Sequence, residues 1–364
     1  MLLINNHEVE QLLSMKECLE VIEEAYLELG AGQAANFPEG GRMDVQAPSL
    51  GPEPERCYIW GGLAGIVPKR EMFAIRMKSD IRYPELNIDG IPTHKKFCIS
   101  PGTYCGLVFL FSTRSAEPLA VINDGVLQHL RVAATSGVAA KYLARKDSRV
   151  LAMIGSGGMA TTHTLAFCSV LPIRQVKVYS PTPAHREQFA REMSDKIGIE
   201  VKAVATAEEA VADADVLSSC TDSLSQVIKA RWLKPGMHLA SVLPFEVEPQ
   251  AVAKADVVVR HLRGGAVGVK AAAEELEEHE RTRRKLYAEY GAPLEQRSEL
   301  PTLAEVMTGK APGRTGDRQI TYFHNVPGSG IQFAAVGARV LELARKAKAG
   351  KELPLEWFLQ DIRD

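Results

Sequence analysis

The chain reads as an α/β protein with two domains: a doubly wound parallel sheet and a second, α+β domain. Three observations carry this reading. Between Val150 and about Val259, short apolar runs alternate with helical patterns, the signature of parallel strands joined by helices. A glycine-rich turn follows the first of those runs at once. With 364 residues, the chain is also too long for one small core.

Val150–Ile154 is predicted as the first strand and Gly158–Ser169 as its helix. Gln175–Tyr179 is a second strand, followed by a helix over Ala184–Lys196. Glu200–Val204 is a third strand, and Thr206–Ala212 a short helix. Val216–Ser219, His238–Val242 and Val257–Val259 add further short apolar strands. Before this region, Ser14–Leu29 has helical spacing, with Leu19, Ile22, Tyr26 and Leu29 on one side. Gly/Pro-rich loops and β-like runs follow at Cys57–Trp60, Met72–Met77 and Gly106–Phe111, which predict an antiparallel or mixed sheet. Leu127–Ala144 is a long helical pattern placed to bridge the domains. Late in the chain, Gln319–Phe323 is strand-like, and Ile331–Lys348 is an Ala-rich helix. Residues 269–290 are dense in charge, with Glu277–Arg281 and Glu280–Arg284 as i,i+4 pairs; they read as a solvated helix, with a lid as the other reading.

The turn is Gly155-Ser-Gly157-Gly-Met-Ala160, with the spacing G-x-G-x-x-A. Gly155 suits a tight turn out of a strand, and Gly157 has no side chain to block a pyrophosphate. Ala160 lets the helix lie close to the sheet. Bare amides at the helix start favour a phosphate anion, so the stretch predicts dinucleotide binding by a Rossmann-type sheet. Composition excludes other classes. The net charge is −2, with 46% apolar and 24% charged residues, and no basic stripe invites nucleic acid or an anionic membrane. No apolar run approaches the ~20 residues that span a bilayer. The N-terminus lacks a secretory pattern, so a cytoplasmic location is expected. The six cysteines show no C-x-x-C and read as reduced, mostly buried thiols. The nine histidines form no ligand-spaced cluster, so no metal is expected.

A free ribose 2′-hydroxyl is usually met by an acidic residue at the end of the second strand. Here no carboxylate appears there until Glu187. Ser180, Thr182 and Arg186 instead suit a 2′-phosphate, so NADP(H) is expected over NAD(H). The alternative is that Arg186 merely starts a solvated helix.

Several segments together resemble the ornithine cyclodeaminase/mu-crystallin family. They are Phe73-Ala-Ile-Arg-Met-Lys78, Pro118-Leu-Ala-Val-Ile-Asn-Asp-Gly125, Leu130-Arg-Val-Ala-Ala-Thr-Ser136, the glycine turn, Ser218-Ser-Cys-Thr-Asp-Ser223 and Ile320-Thr-Tyr-Phe323. The resemblance implies a nucleotide-binding domain, residues 127–319, set between the two parts of a substrate-binding and dimerisation domain, residues 1–126 and 320–364. It implies a homodimer and a small substrate: a 2-amino acid, a cyclic imino acid, or the matching keto acid or imine.

On this resemblance Arg42, Lys78 and Arg131 match the cations that bind the substrate carboxylate. Gly155, Ser156, Gly157, Gly158 and Met159 line the pyrophosphate, and Thr221 and Ser223 approach the nicotinamide ribose. Thr135 and Ser136 either reach a phosphate or bond within their helix. Lys78 also has a catalytic reading. Desolvated among cations, its pKa falls toward neutrality, and it can give a proton to the substrate nitrogen or hold a water there.

Two positions depart from the family pattern. Phe245 stands where cyclodeaminases carry a proton-shuttling aspartate, with Glu246 as a possible substitute; and Val132 follows Arg131 where a threonine is usual. Extra sequence between Asp80 and Cys105 borders the pocket and offers Tyr83 and His94 as further contacts. The expected function is an NADP(H)-dependent oxidoreductase of amino acid metabolism acting on the C–N bond of a 2-amino or 2-imino acid. An ammonia-releasing cyclodeaminase and a non-catalytic NADPH-dependent binding protein are the alternatives.

Overall fold

A computed structural model describes residues 1–49, 56–243, 246–264, 267–271, 294, 297–326 and 328–362. Its seven-stranded sheet runs in the order Glu200–Ala203, Gln175–Tyr179, Val150–Ile154, Val216–Ser219, His238–Ser241, Thr321–His324 and Val257–Arg260. Every neighbouring pair is parallel. Alternate residues of the first strand feed opposite cores. Leu151 and Met153 pack with Phe167 and Phe189, while Ala152 and Ile154 pack with Val211 and Ala251. The sheet is therefore covered on both faces, as near-continuous apolar strands require. The order reverses between Val150–Ile154 and Val216–Ser219, so the crevice for a ligand opens at the carboxyl end of these two strands.

The other sheet has eleven strands and is mostly antiparallel. Its centre is the long pair Cys57–Val67 and Met72–Leu86, with Cys105–Ser112 on the far side. Period-two alternation divides it. Leu63, Val67, Met72, Ala74, Val108 and Leu110 are buried on one face under the helix Gly330–Ala347. On the outer face Trp60, Ile66, Phe73, Ile75, Met77, Leu107, Phe109 and Phe111 stay half-buried.

The helix Asp124–Leu143 joins the two halves. Leu127, Leu130 and Val138 belong to the core of the first, while Ala140 belongs to one core of the parallel sheet. Such a helix is buried along most of its length because it packs between both cores.

Several sequence expectations shift. The strand-like run at Met72–Met77 continues to Leu86, and the extra sequence returns as Pro92–Cys98, paired to it as a hairpin. Thr321–His324 lies inside the parallel sheet, so a boundary at residues 319/320 separates this strand from its own sheet. Residues 269 and 270, read as the start of a charged helix, end the strand Val267–Lys270, which pairs with Met43–Pro48. Both changes come from pairings distant in sequence, which local patterns do not encode. The rest of the charged run, from residue 272, lies outside the described residues, as does Phe245. Cys18, Cys57 and Cys220 are buried, Cys98 and Cys168 are half-buried, and Cys105 is exposed, so the thiols are less uniformly buried than expected. Among the described residues no helix is long and apolar enough to cross a membrane, and no group of His, Cys, Asp or Glu is placed to hold a metal ion.

Where the helix Gly330–Ala347 meets the sheet, backbone packs on backbone. A Cβ on Gly330 would overlap the Ala64 carbonyl, and one on Gly65 would overlap the Gly330 backbone. Gly330→Ala should cost about 1–3 kcal/mol, the usual penalty of overpacking. Gly316→Ala, at an open position, should cost less than about 0.5 kcal/mol. Urea denaturation of the two variants measures the difference, and equal stability would show that the close approach does not hold the helix.

Candidate active site

The strand Met72–Leu86 builds the site by alternation. Arg76, Lys78, Asp80 and Arg82 recur every second residue, so all four share the face of the strand on which Met72 and Ala74 are buried. Lys78 is opposite Gly61 on one neighbour and Gly106 on the other. The two glycines leave the Lys78 stem uncovered. A Cβ on Gly61 would stand 3.1 Å from Lys78 Cε and 3.0 Å from Asp44 Oδ1, and one on Gly106 would overlap the Asp124 carboxylate. The covering helix begins at Gly330, against Ala64 and Gly65, one row short of this point.

Lys78 is only 6% exposed and Arg131 only 4%. Lys78 Nζ donates to both oxygens of Asp80, at 2.9 and 3.1 Å, and Arg82 Nε lies 3.6 Å from the same carboxylate. Burial lowers the Lys78 pKa to about 6, helped by Arg82 and Arg42 and opposed by Asp80. Burial works against the Asp80 charge as well, but Arg82 and Lys78 outweigh it and hold its carboxyl below the usual range. Arg42 sits beside this pair, its Nε 2.6 Å from Asp44 Oδ1. The structure thus gathers Arg42 and Lys78 in one cluster.

Arg131 enters from the helix Asp124–Leu143. It donates to Gln332 Oε1 at 2.6 Å and to Gln128 Oε1 at 2.7 Å, and its guanidinium lies 4.8 Å from the centre of the Phe333 ring. Its buried Nε makes no hydrogen bond, so a guanidinium with five N–H groups keeps donors for a ligand. Burial, then Arg76, lowers its pKa to about 9, which leaves it a cation at neutral pH. Gly328 gives it room: a Cβ there would stand 3.1 Å from both terminal nitrogens. Arg76 is ion-paired with the fully buried Asp124, whose Oδ1 has no hydrogen-bond partner. Arg76 and Asp124 were not singled out from sequence, although the period-two run of charges was visible there.

The glycine turn has the geometry a pyrophosphate needs. Gly155 adopts φ +110°, and a Cβ would overlap the Cys220 carbonyl. A Cβ on Gly157 would meet open space, and the helix Gly158–Val170 has no side-chain cap, so its first amides remain for an anion. A Cβ on Gly158 would stand 2.9 Å from His129 Cε1, so His129 lies over the helix start. Burial, then Lys96, lowers the His129 pKa, and Asp124 opposes this. His129 therefore stands between the glycine turn and the cation cluster. Sequence reading missed it; its only local signal is a ring two residues before Arg131 in an apolar helix.

At the end of the second strand Ser156 Oγ donates to Ser180 Oγ at 2.8 Å. Arg186 donates to the Ser180 and Pro181 carbonyls, at 2.7 and 3.3 Å, and Thr182 is the N-cap residue of the next helix without bonding it. Ser180, Thr182 and Arg186 share one corner beside the turn.

Other expected groups are otherwise engaged. Glu246 is fully buried. Its Oε1 accepts from the Thr221 amide and hydroxyl, both at 2.8 Å, and its Oε2 accepts from the amides of Val242 and Leu243. Burial raises its pKa, against these bonds. Glu246 thus clamps the loops after two strands, which corrects its reading as a substitute proton shuttle. The Thr221 hydroxyl donates to Glu246 and accepts from the Ser223 amide, and Ser223 Oγ closes a local turn with Ser225. Both stand at the end of the fourth strand with their hydroxyls used within the loop. Thr135 is buried and donates to the Arg131 carbonyl of its own helix, as the helix-bonding reading expects, and accepts from Gln332; Ser136 is buried too but bonds His163 and Asn325 of other elements, so both hydroxyls are engaged within the protein. Tyr83 lies under the Arg56 guanidinium, 4.9 Å from its ring centre. The His94 amide donates to the Asp222 carbonyl at 3.1 Å, so the hairpin touches the loop after the fourth strand.

Over 361 residues the chain is 28% identical to the alanine dehydrogenase of Archaeoglobus fulgidus, covering 97% of this chain and 98% of that protein. It is similar in structure to the Delta(1)-pyrroline-2-carboxylate reductase of Thermococcus litoralis, solved with NADH and L-proline. The TM-score is 0.75 at 28% identity, over 97% of this chain and 100% of the other. An archaeal alanine dehydrogenase dimer with bound NAD gives a TM-score of 0.73 at 27% identity, over 97% and 99% of the two chains. Residues 1–348 match the model of the ornithine cyclodeaminase/mu-crystallin family, and the chain belongs to that family.

Proposed function

We propose that this chain is an NADP(H)-dependent oxidoreductase of the C–N bond in a 2-imino or 2-amino acid, working as an imine or ketimine reductase or an amino acid dehydrogenase. The observation that carries the reading is the buried Lys78–Asp80 pair beside Arg42, on a strand that faces the glycine turn with Arg131 on the adjoining helix. The similarity to an alanine dehydrogenase and to a pyrroline-carboxylate reductase supports it.

Gly155, Ser156, Gly157, Gly158 and Met159 hold the pyrophosphate, with Thr221 and Ser223 at the ribose end. When bound, the reduced nicotinamide supplies a hydride to the carbon of a C=N bond. Arg131 and Arg42 orient the substrate carboxylate, and orientation is what a guanidinium fork adds beyond charge. Lys78 in its ammonium form presents a proton at the substrate nitrogen, and Asp80 keeps that ammonium in place. The saturated Glu246 leaves no carboxylate of that loop to move a proton, which disfavours cyclodeamination. We place the substrate-binding unit in residues 1–126 plus the chain's end and the nucleotide-binding unit in residues 127–319 with the strand Thr321–His324.

Ser180, Thr182 and Arg186 favour the 2′-phosphate of NADP(H), because no carboxylate stands at that corner to repel it. The outer face of the eleven-stranded sheet, with Phe73 and Phe111 rings 6.2 Å apart, is an apolar surface suited to a homodimer interface, and the structurally similar archaeal alanine dehydrogenase is a dimer.

Three outcomes are expected. For imine reduction, kcat/KM should fall as pH rises through about 6, since free-enzyme Lys78 then loses its proton. Lys78→Gln should abolish that limb and lower kcat/KM at pH 6 about 100-fold; an unchanged profile removes Lys78 from proton transfer. The ratio of kcat/KM for NADPH over NADH should exceed one, and Arg186→Ala should reduce it about tenfold or more, the loss of a charge-assisted bond; a preference for NADH refutes the cofactor assignment. Sedimentation velocity should give a dimer for the native chain and a monomer for Phe109→Arg, and a variant that stays dimeric places the interface elsewhere.

A further inference from the structure

We propose that His129 is a cofactor ligand: its ring, as an imidazolium, donates to the pyrophosphate held at the start of the helix Gly158–Val170, so that binding of the nicotinamide dinucleotide draws a proton onto the protein. This rests on the reading of the glycine turn as the pyrophosphate site and gives that site a group beyond its backbone amides.

The placement of the ring carries the proposal. The three atoms nearest to the place of a Cβ on Gly158 are His129 Cε1 at 2.9 Å, Nδ1 at 3.2 Å and Nε2 at 3.8 Å. In an imidazole Cε1 lies between the two nitrogens, so the polar edge of the ring is turned to the first residue of the helix. A side chain at residue 158 would take that place, and glycine leaves it to the histidine. Among the described residues neither ring nitrogen of His129 makes a hydrogen bond. A half-buried imidazole always has an N–H to give, and without a partner it is an open donor. His163 on the same helix as Gly158 is the contrast: its Nδ1 bonds the Met159 carbonyl at 2.8 Å and its Nε2 bonds Ser136 Oγ at 3.1 Å. At the helix start itself Gly157 offers no side-chain cap, and the hydroxyls of Thr161 and Thr162 turn back to the carbonyls of Gly157 and Gly158.

The charges around the ring explain why the proton arrives with the ligand. Burial disfavours the imidazolium most, then Lys96 of the hairpin and Arg131 of the same helix. Asp124, on the first turn of that helix, favours it, and the sum holds the His129 pKa below the usual histidine value. His163 stays neutral beside it, its own pKa lowered by burial to about 4. The His129 ring is therefore neutral in the free protein at neutral pH. A pyrophosphate at the helix start reverses the balance, because an opposite charge beside the ring favours its protonated form. Binding then takes up a proton at pH values between the lowered and the raised pKa, and affinity falls as pH climbs through the raised one.

Isothermal titration of the protein with NADPH and with NADH, without substrate, tests this. Buffers of different ionisation enthalpy give the protons taken up per cofactor bound. Lys78 and the 2′-phosphate of NADPH titrate in the same range, so the His129 share is the difference between the native chain and His129→Gln or His129→Asn. At pH 6.5 the native chain should take up about half a proton more than either variant. Its affinity should exceed theirs about tenfold at pH 6 and by much less at pH 8, since the charge-assisted bond needs the proton. A ring that only packs on Gly158 would change affinity equally at both pH values and leave the uptake unmoved. Equal uptake in native chain and variants, or an affinity ratio independent of pH, overturns the role of His129 and leaves the pyrophosphate site standing. If neither cofactor binds the native chain, both fall together.

Discussion

The constraint on which the rest of this site depends is the cost of keeping several cations out of water on one face of a strand. Lys78 and Arg131 are nearly inaccessible, and each is pushed toward losing its proton by burial before any neighbour is counted. A buried ammonium is tolerated when an opposite charge and hydrogen bonds meet it, and Asp80 supplies both for Lys78. Asp44 and Asp124 do the same for Arg42 and Arg76. Buried charges gathered in this way shift one another's protonation, and such clusters are the usual setting of a functional site.

Backbone packing makes this possible. Gly61 and Gly106 on either side of Lys78, Gly328 beside Arg131, and Gly158 under His129 all remove side-chain volume where charge must come together. The helix Asp124–Leu143 carries Asp124, His129 and Arg131 on its first two turns and runs on between the two cores. Its start is thus tied to the antiparallel sheet and its far end to the parallel one. Arg131 is thus held relative to the glycine turn by the stiffness of one buried helix. In the other half, Glu246 plays a corresponding part with backbone amides, tying the loops after two parallel strands together.

Much of this was legible in the sequence, for physical reasons that differ by region. Val150–Ile154, Gln175–Tyr179 and Val216–Ser219 were readable to the residue because buried parallel strands are short apolar runs bounded by turn residues. The strand Met72–Leu86 was readable only to Met77. Beyond that point its inward face carries charge instead of apolar side chains, and a strand with charges on its buried face does not look like a strand. The same series, read for alternation alone, would have put Arg76, Asp80 and Arg82 beside Lys78. The Thr321–His324 and Val267–Lys270 pairings were not legible, because their partners lie about 60 to 220 residues away and register over such spans is set by packing. The part played by Glu246 was not legible for a related reason: all four of its donors belong to the loops after two strands, and sequence does not bring those loops together.

The hairpin brings these strands of argument together. It prolongs the strand that carries Lys78, and its return strand is pinned to the loop that Glu246 clamps. Residues at the end of a hairpin gain precision when it is held at more than one point, and here one sheet holds the paired strands while a loop of the other half holds Thr93. The Arg82–Lys96 row is therefore fixed relative to Lys78 by strand geometry and relative to the ribose end by the Thr93–Ser223 bridge. The spacing between these rows is then set by the backbone itself rather than by flexible side chains, and that is the kind of rigidity a precise site needs.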